Sequence, residues 1–508
     1  MSHLNKESVQ SSGLFIWTPE HLKTATAELN GQWIDLEGHN NLQATRIITD
    51  TRKIEAGDIY LAIVGEKFDG HCFVAEAIQK GAVAAIVSQH VEGLSAPLLK
   101  VKDTRLAFGK IAAYRRQQHP TLKVIALTGS SGKTTVKEML RQIFMQVEAP
   151  EQSTTSKSTT SQSTTLVTRG NLNNDFGVPM MLLELEQQHR YAVLELGANH
   201  VGEIAYTATM VKPDVACILN IGTAHLGEFG GRDNIAKTKA EIYQALTDLS
   251  TAIVPSDDDY TEQLTAIAKK HTSKVIHYGW QQLESSGCNL PQVYATQVET
   301  TALHSHFKLH FAIGVDESVV EVTLPMSGQH NVSNALAAAS CAYAAGISPE
   351  VIAVGLGQAT SSKGRLGRQT LGIHHIIDDT YNANPNSMRA AADVLAVQSG
   401  YKILILGDIG ELGDAVHDEH NRLGQAIADK AIDMLLCAGE FAKDTVIGAQ
   451  SRSMQNAYDF TTKAELLIKL QSILAEKNEQ KQVCTLLFKG SRSTAMETLI
   501  QDLMQNEG

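Results

Sequence analysis

The segment TGSSGKTT, residues 128–135 of a 508-residue chain, is where residue types and spacing speak most directly of chemistry. Gly129 and Gly132 let backbone N–H groups approach an anion, and Lys133 supplies a counter-charge. Thr134 offers the hydroxyl that holds Mg²⁺ beside phosphates. The spacing is a variant, because two residues rather than four separate the glycines and Leu127 stands where an earlier glycine is usual. An apolar run, KVIALT (123–128), precedes the loop, and a helical pattern starts near Lys133. Strand, loop and helix in that order form a phosphate cradle, with the helix N-terminus adding partial positive charge. An ordinary Gly-Ser turn before a helix is the structural alternative.

Ligands of open parallel sheets gather at the carboxyl ends of the strands, which draws attention to Glu195 and His225. Glu195 ends the apolar run VLELG, and His225 follows the next run in NIGTAHLGEFG. A carboxylate and an imidazole on that edge suit metal ions beside phosphates; for His225 alone, a hydrogen-bonded structural histidine is the alternative. Lys239, in DNIAKTKAEIYQAL, shares a helical face with Ile235, Ile242, Tyr243 and Leu246, whereas Lys237 does not. Spacing alone leaves Lys239 as a surface lysine lying along an apolar stripe.

These residues need elements to position them, and the chain is longer than the roughly 250–300 residues at which single cores stop growing. Apolar runs at 59–64 and 82–87 flank a helix at 73–80, predicting a small α/β N-terminal domain over 1–115. A polar hinge, RRQQHP (115–120), leads into a central domain over 116–360. Its runs at 191–197, 215–222 and 251–256 predict a phosphate-loop-type, doubly wound, mostly parallel sheet. Runs at 374–380, 401–409, 431–439 and 484–490 predict a Rossmann-like C-terminal domain over 361–508. The fold class expected is therefore α/β in three domains. The Ser/Thr-rich stretch 148–165 cannot bury enough apolar surface for a core and reads as an exposed, mobile loop.

A formal charge of −12 excludes a general affinity for nucleic acid or anionic membrane. The six cysteines have no CxxC spacing, which indicates free thiols in a reducing compartment. No apolar run is long enough to span a bilayer, and the run at 335–346 reads as a packed helix. A cytoplasmic enzyme without membrane insertion is expected.

With these residues in view, the chain resembles the Mur ligase family from about residue 18 to about residue 505. The resemblance rests on TDTRKIEAGDIYLAIVGEKFDGH (49–71), TGSSGKTT, GNLNNDFGVP (170–179), LELGANHVGEI (194–204), GQHNVSNALAA (328–338), DDTYNANPNSM (378–388), LGDIGELG (406–413) and KGSRS (489–493). It points to the branch that uses ATP to join D-alanyl-D-alanine to UDP-N-acetylmuramoyl-tripeptide through an acyl phosphate. It implies that Gly129, Ser130, Ser131, Gly132, Lys133, Thr134 and Thr135 bind ATP, and that Lys133, Glu195, His225 and Lys239 are catalytic. One Mg²⁺ falls to Thr134 and Glu195, and a second to His225 and a carbamylated Lys239. Asn331 is implied to meet adenine, with Arg365 and Asp379 closing over phosphates and ribose; a helix cap for Asn331 and a solvated linker charge for Arg365 are the bland alternatives.

Thr51, Arg52, Phe68, Asp69, Gly70 and His71 match segments tied to the UDP end of the substrate. Asn171, Asn173 and Asn174 match the muramyl-peptide channel, although Asn-rich loops are also simple turns. Tyr381, Asn382 and Asn384 fall to substrate binding in the third domain. Two departures from the family pattern are Thr51 in place of serine and Lys363 in place of proline. The rivals are the ligase that adds the third amino acid, disfavoured by YNANPNS where an Asp-Asn-Pro-Arg type signature is expected, and a folylpolyglutamate-type ligase, disfavoured by the first domain. A non-catalytic nucleotide switch or an ATP-driven motor is the alternative of another class. Family habit implies a monomer.

Overall fold

The computed structural model describes residues 14–39, 41–65, 68–148, 163–223, 226–280, 290–314, 317–361 and 363–505. It contains two compact units, Met1–Val124 with Thr154–Leu194 and Tyr206–Lys212, and Ile125–Ser153 with Glu195–Ala205 and Pro213–Gly508. Most of the Ser/Thr-rich stretch 148–165 lies outside the described residues, as does His225.

In the first unit, a five-stranded sheet runs Gln32–Ile34, Leu98–Lys100, Ala84–Val87, Ile59–Leu61, Ile47–Ile48, parallel except for its first pair. Two of its inner strands, Ile59–Leu61 and Ala84–Val87, are short, apolar and buried throughout, as strands covered on both faces must be. Asp103 starts the helix Thr104–Gln117 by accepting from the Leu106 N–H at 2.9 Å. That helix packs Ala107, Phe108 and Ile111 against Trp17, Leu22, Ile59 and Ile86. Burying a side chain such as Phe108 contributes about 2 kcal/mol. Also in this unit, Thr165–Val167 pairs in parallel with the start of Tyr191–Glu195.

The polar hinge expected at 115–120 is instead a buried knot. Arg115 is 2% exposed; its guanidinium donates to the Leu185 carbonyl and lies 4.2 Å from the centre of the Phe15 ring. Arg116 donates to the carbonyls of His119 at 2.8 Å and Val211 at 3.1 Å. The charges are tolerated because main-chain carbonyls accept hydrogen bonds from the guanidinium N–H groups. His119 is buried beside them, and loss of water, with Arg115 as the next cause, pushes its pKa down to about 4. Its ordinary value is about 6.5, so the unfolded chain takes up the proton first. This contribution to stability is complete above pH ~6.5 and declines as the pH falls towards ~4, by up to about 3 kcal/mol. In urea titrations, His119→Gln is expected to flatten that decline relative to the parent; equal slopes for the two proteins would refute it.

In the second unit, the strands run in the order Ser318–Leu324, Ser305–Phe311, Val293–Thr300, Lys274–Trp280, Thr251–Pro255, Val215–Ile218, Lys123–Thr128. The pairs from Lys123–Thr128 through to Val293–Thr300 are parallel, and the last two strands add antiparallel. This antiparallel meander is absent from the sequence-based expectation. The six-stranded sheet of the same unit runs Gly367–Leu371, His374–Asp379, Cys484–Lys489, Tyr401–Gly407, Met434–Ala438, Ala457–Phe460, with only the first pair antiparallel. Alternate residues feed separate cores: Leu404, Leu406 and Leu487 on one face, Ile403, Ile405 and Leu486 on the other. Helices cover both faces, as the Rossmann-like expectation requires.

Candidate active site

The strand Lys123–Thr128 delivers the phosphate loop, and the helix Lys133–Glu148 begins at the loop's lysine. Gly132 has φ +86°, and a Cβ there would sit 2.4 Å from Asn334 Oδ1, so only glycine fits. Lys133 Nζ donates to the Gly129 carbonyl at 2.5 Å, folding back over the loop. Burial pushes its pKa down; Glu195 opposes that shift and Arg365 adds to it. Thr134 Oγ1 stands 3.4 Å from Glu195 Oε2, and Lys137 Nζ lies 3.6 Å from Glu195 Oε1. Ser130, Ser131 and Thr135 complete the loop, each partly buried.

Lys239 lies on the helix Arg232–Ala240 and is 6% exposed, not the surface lysine that spacing alone allows. Burial, followed by the nearby Lys133 ammonium, pushes its pKa well below the ordinary lysine range. Just beyond it, Glu241 accepts from the N–H groups of Gly202 at 2.8 Å and Ala205 at 3.1 Å. The turn carrying Lys239 is thus tied to the start of the helix Glu203–Val211, which follows Glu195 in the chain.

Arg365 is not a solvated linker charge: its Nη2 donates to Thr134 Oγ1 at 3.1 Å, and its guanidinium lies 4.4 Å from the centre of the Tyr381 ring. Asn331 does not cap its helix, since Gly328 holds that position; its Nδ2 donates to the Ser327 carbonyl at 2.8 Å. Asp379 Oδ2 pairs with Lys489 Nζ at 2.6 Å, and Lys489 also donates to the Asn382 carbonyl at 3.0 Å. Asn382 Oδ1 accepts from the Arg492 N–H at 3.2 Å. Asn384 caps the helix Pro385–Ala396 in a reciprocal box with Ser387.

Sequence reasoning missed three residues that organise this site: Glu241, Lys489 and Asn220. Asn220 Oδ1 accepts from the Ser131 N–H at 3.0 Å, and its Nδ2 donates to the Ser131 carbonyl at 3.2 Å. The only available signal was place: Asn220 follows an apolar run on the loop's own sheet edge, and Lys489 opens the KGSRS segment.

In the first unit, Thr51 and Arg52 open a turn capped by Asp50, whose carboxylate binds Arg52 at 2.8 Å and is held down to about 2 by that partner. The Ser88 N–H donates to His71 Nε2 at 2.9 Å, so the ring proton sits on Nδ1, facing Asp69 at 2.5 Å. A Cβ on Gly70 would meet the Ile63 backbone at 2.6 Å. Phe68, 66% exposed, presents its ring to solvent beside this turn. Asn174 accepts from the Gly177 N–H at 2.8 Å and so closes a turn, while Asn171 is exposed and Asn173 partly buried.

A phosphate-gripping loop at the carboxyl edge of a parallel sheet, faced by a carboxylate, a buried amine and an arginine from a second sheet, defines a nucleotide-dependent α/β enzyme. Three family models match the chain: "Mur ligase family, catalytic domain" over residues 43–116, "Mur ligase middle domain" over 127–342, and "Mur ligase, glutamate ligase domain" over 364–492. The UDP-N-acetylmuramoyl-tripeptide–D-alanyl-D-alanine ligase of Escherichia coli K12 is 38% identical over 491 residues, covering 96% of this chain and 98% of the relative. A crystal structure of MurF from Acinetobacter baumannii is 46% identical, covers 97% of this chain and 100% of its own, and superposes with a TM-score of 0.85. An ADP complex of MurF from Thermotoga maritima shares the fold at a TM-score of 0.74 and 23% identity, over 91% of this chain and 97% of its own. The chain belongs to the Mur ligase family.

Proposed function

We propose that the chain uses ATP to join D-alanyl-D-alanine to UDP-N-acetylmuramoyl-tripeptide, giving the UDP-linked pentapeptide, ADP and phosphate. The observation that carries this reading is the convergence of Lys133, Thr134, Glu195, Lys239 and Arg365 on one loop, in a chain that matches the E. coli ligase over nearly its whole length. The tripeptide carboxylate takes the γ-phosphoryl group from ATP, breaking the bond to ADP. The dipeptide amine then attacks the acyl phosphate, and phosphate leaves as the amide forms.

Each residue has a task in this scheme. The loop amides from Gly129 to Thr135 and the Lys133 ammonium hold the phosphates in line, and Arg365 offsets charge on the transferring group. Asn331 and Asp379 bind adenine and ribose, with Lys489 fixing the Asp379 carboxylate. Thr51, Arg52, Phe68, Asp69, Gly70 and His71 take the UDP end; Asn171, Asn173 and Asn174 take the muramyl peptide; Tyr381 and Asn382 take the incoming dipeptide. By task, the chain divides at about 115 and about 360 into UDP-binding, ATP-binding and dipeptide-binding domains.

Hydroxyl and carboxylate oxygens are the donors that Mg²⁺ prefers, so Thr134 and Glu195 fit one ion. Among the described residues, no three His, Cys, Asp or Glu side chains gather into a cage; Mg²⁺ usually keeps several waters and takes substrate phosphate oxygens as its other ligands. The bare amine of Lys239 beside Lys133 fits no cation. A neutral amine adds to CO₂ and loses one proton to give a carbamate, whose oxygens are of the kind a second ion would take; His225, the other residue assigned to that ion, lies outside the described residues. Bound Mg²⁺ neutralises charge between carboxylate and γ-phosphate. We place the reaction in the cytoplasm, in a monomer; among the described residues no helix is long and apolar enough to cross a membrane. Phosphate release with ATP, Mg²⁺ and UDP-N-acetylmuramoyl-tripeptide is expected only when D-alanyl-D-alanine is added, and release indifferent to the dipeptide would overturn the proposal.

A further inference from the structure

The peptide unit between Ser130 and Ser131 is held at both ends by side-chain amides from different parts of the chain. Its N–H, on Ser131, donates to Asn220 Oδ1 at 3.0 Å. Its C=O, on Ser130, accepts from Asn384 Nδ2 at 3.3 Å. Asn220 stands beyond the strand Val215–Ile218 of the loop's own sheet, whereas Asn384 opens the helix Pro385–Ala396 beside the six-stranded sheet. Around this unit the Ser130 N–H donates to the Asn220 carbonyl at 3.2 Å, and the Gly222 N–H donates to Ser130 Oγ at 2.9 Å.

A peptide plane held at one end can rotate about the flanking bonds, and rotation here would re-aim the N–H groups of Gly132 and Lys133 that follow it. Gripping both ends removes that freedom before phosphate arrives, which is preorganisation. Asn220 is always beside the loop, because both belong to one sheet. Asn384 reaches the loop from the segment after residue 361, so the second grip depends on that segment keeping its place against the loop.

We infer that Asn384 is a positioning residue which couples docking of the C-terminal segment to the shape of the phosphate loop, by completing a two-asparagine clamp on the Ser130–Ser131 peptide. The inference rests on the ATP-dependent reading above and gives Asn384 a role apart from direct contact with the dipeptide. One amide serves two tasks: Oδ1 caps the helix by accepting from the Ser387 N–H at 2.9 Å, and Nδ2 reaches the loop.

That division makes the tasks separable. Aspartate and serine cap helices about as well as asparagine, so Asn384→Asp and Asn384→Ser keep the cap and lose the amide donor. In calorimetric titrations of the full chain with Mg-ADP, Asn384→Ser is expected to bind about threefold to fivefold more weakly than the parent. Asn384→Asp is expected to bind about tenfold or more weakly, because its carboxylate faces the Ser130 carbonyl. Melting temperatures should stay close to the parent's, kcat should fall, and KM for D-alanyl-D-alanine should hold. Parent-like ADP affinity in both variants would overturn the clamp. So would a defect confined to Asn384→Asp, which would be a charge effect, or one confined to the dipeptide KM, which would be substrate contact. A parent protein that fails to bind Mg-ADP at all would instead refute the ATP-dependent reading.

Discussion

Replacing Lys239 with alanine is expected to lower dipeptide-dependent phosphate release at least about a hundredfold, and added formate or acetate is expected to return part of it. Lys239 is nearly inaccessible, and its ammonium is disfavoured first by burial and then by the charge on Lys133. Both causes act in one direction, lowering the pKa and enlarging the fraction of neutral amine at neutral pH. Only the neutral amine adds CO₂. The product replaces a cation that repels Lys133 with an anion that attracts it, so the surroundings that discourage the ammonium favour the carbamate. Alanine cannot form this anion and leaves a space that a small carboxylate can enter. A ¹³C resonance from protein equilibrated with labelled bicarbonate, present in the parent and absent in the variant, should track activity. An unmodified, fully active parent would sink the idea, and so would a variant that formate leaves unchanged while its fold is intact.

Sequence legibility followed the range of the forces involved. The strand Lys123–Thr128 and the helix beginning at Lys133 were readable because an apolar run, two glycines and a lysine are local signals. Four strands of the C-terminal sheet were readable for the same reason: each has a short buried apolar stretch at its centre, such as Ile376 and Ile377, Ile403 to Leu406, Leu435 and Leu436, or Leu486 to Phe488. The strands Val293–Thr300, Ser305–Phe311 and Ser318–Leu324 escaped because they bury one face only. Their outward positions carry Thr, His, Lys and Glu, which dilute the apolar signal.

The site divided along the same line. Residues within the loop were legible, whereas Asn220 acts on a residue 89 positions away and Lys489 on one 110 positions away. Nothing in the types of Asn220 or Lys489 announces such partners. The knot at Arg115 and Arg116 was misread as a hinge because composition shows two charges but not the carbonyls of Leu185 and Val211 that receive them.

Lys133→Met is expected to be more severe than Lys239→Ala, with activity down about a thousandfold and no recovery on adding formate. Methionine keeps the length and apolar stem of lysine, so the helix that begins here should still form. What disappears is the positive charge folded over the loop, held 2.5 Å from the Gly129 carbonyl and poised to turn towards phosphate. The second loss is indirect. Lys133 helps to depress the pKa of Lys239, and without it the Lys239 ammonium is less disfavoured. The neutral fraction shrinks and the carbamate loses a nearby counter-charge, so the labelled ¹³C resonance should weaken although Lys239 itself is untouched. Formate cannot help, because the amine still occupies the space that alanine vacates. The two lysines are therefore expected to be coupled: the double variant should lose clearly less than the product of the two single losses. Activity within about tenfold of the parent in Lys133→Met would remove the phosphate role, and an undiminished carbamate signal would remove the coupling; the two can fail separately, because one is carried by the charge over the loop and the other by its effect on a buried amine.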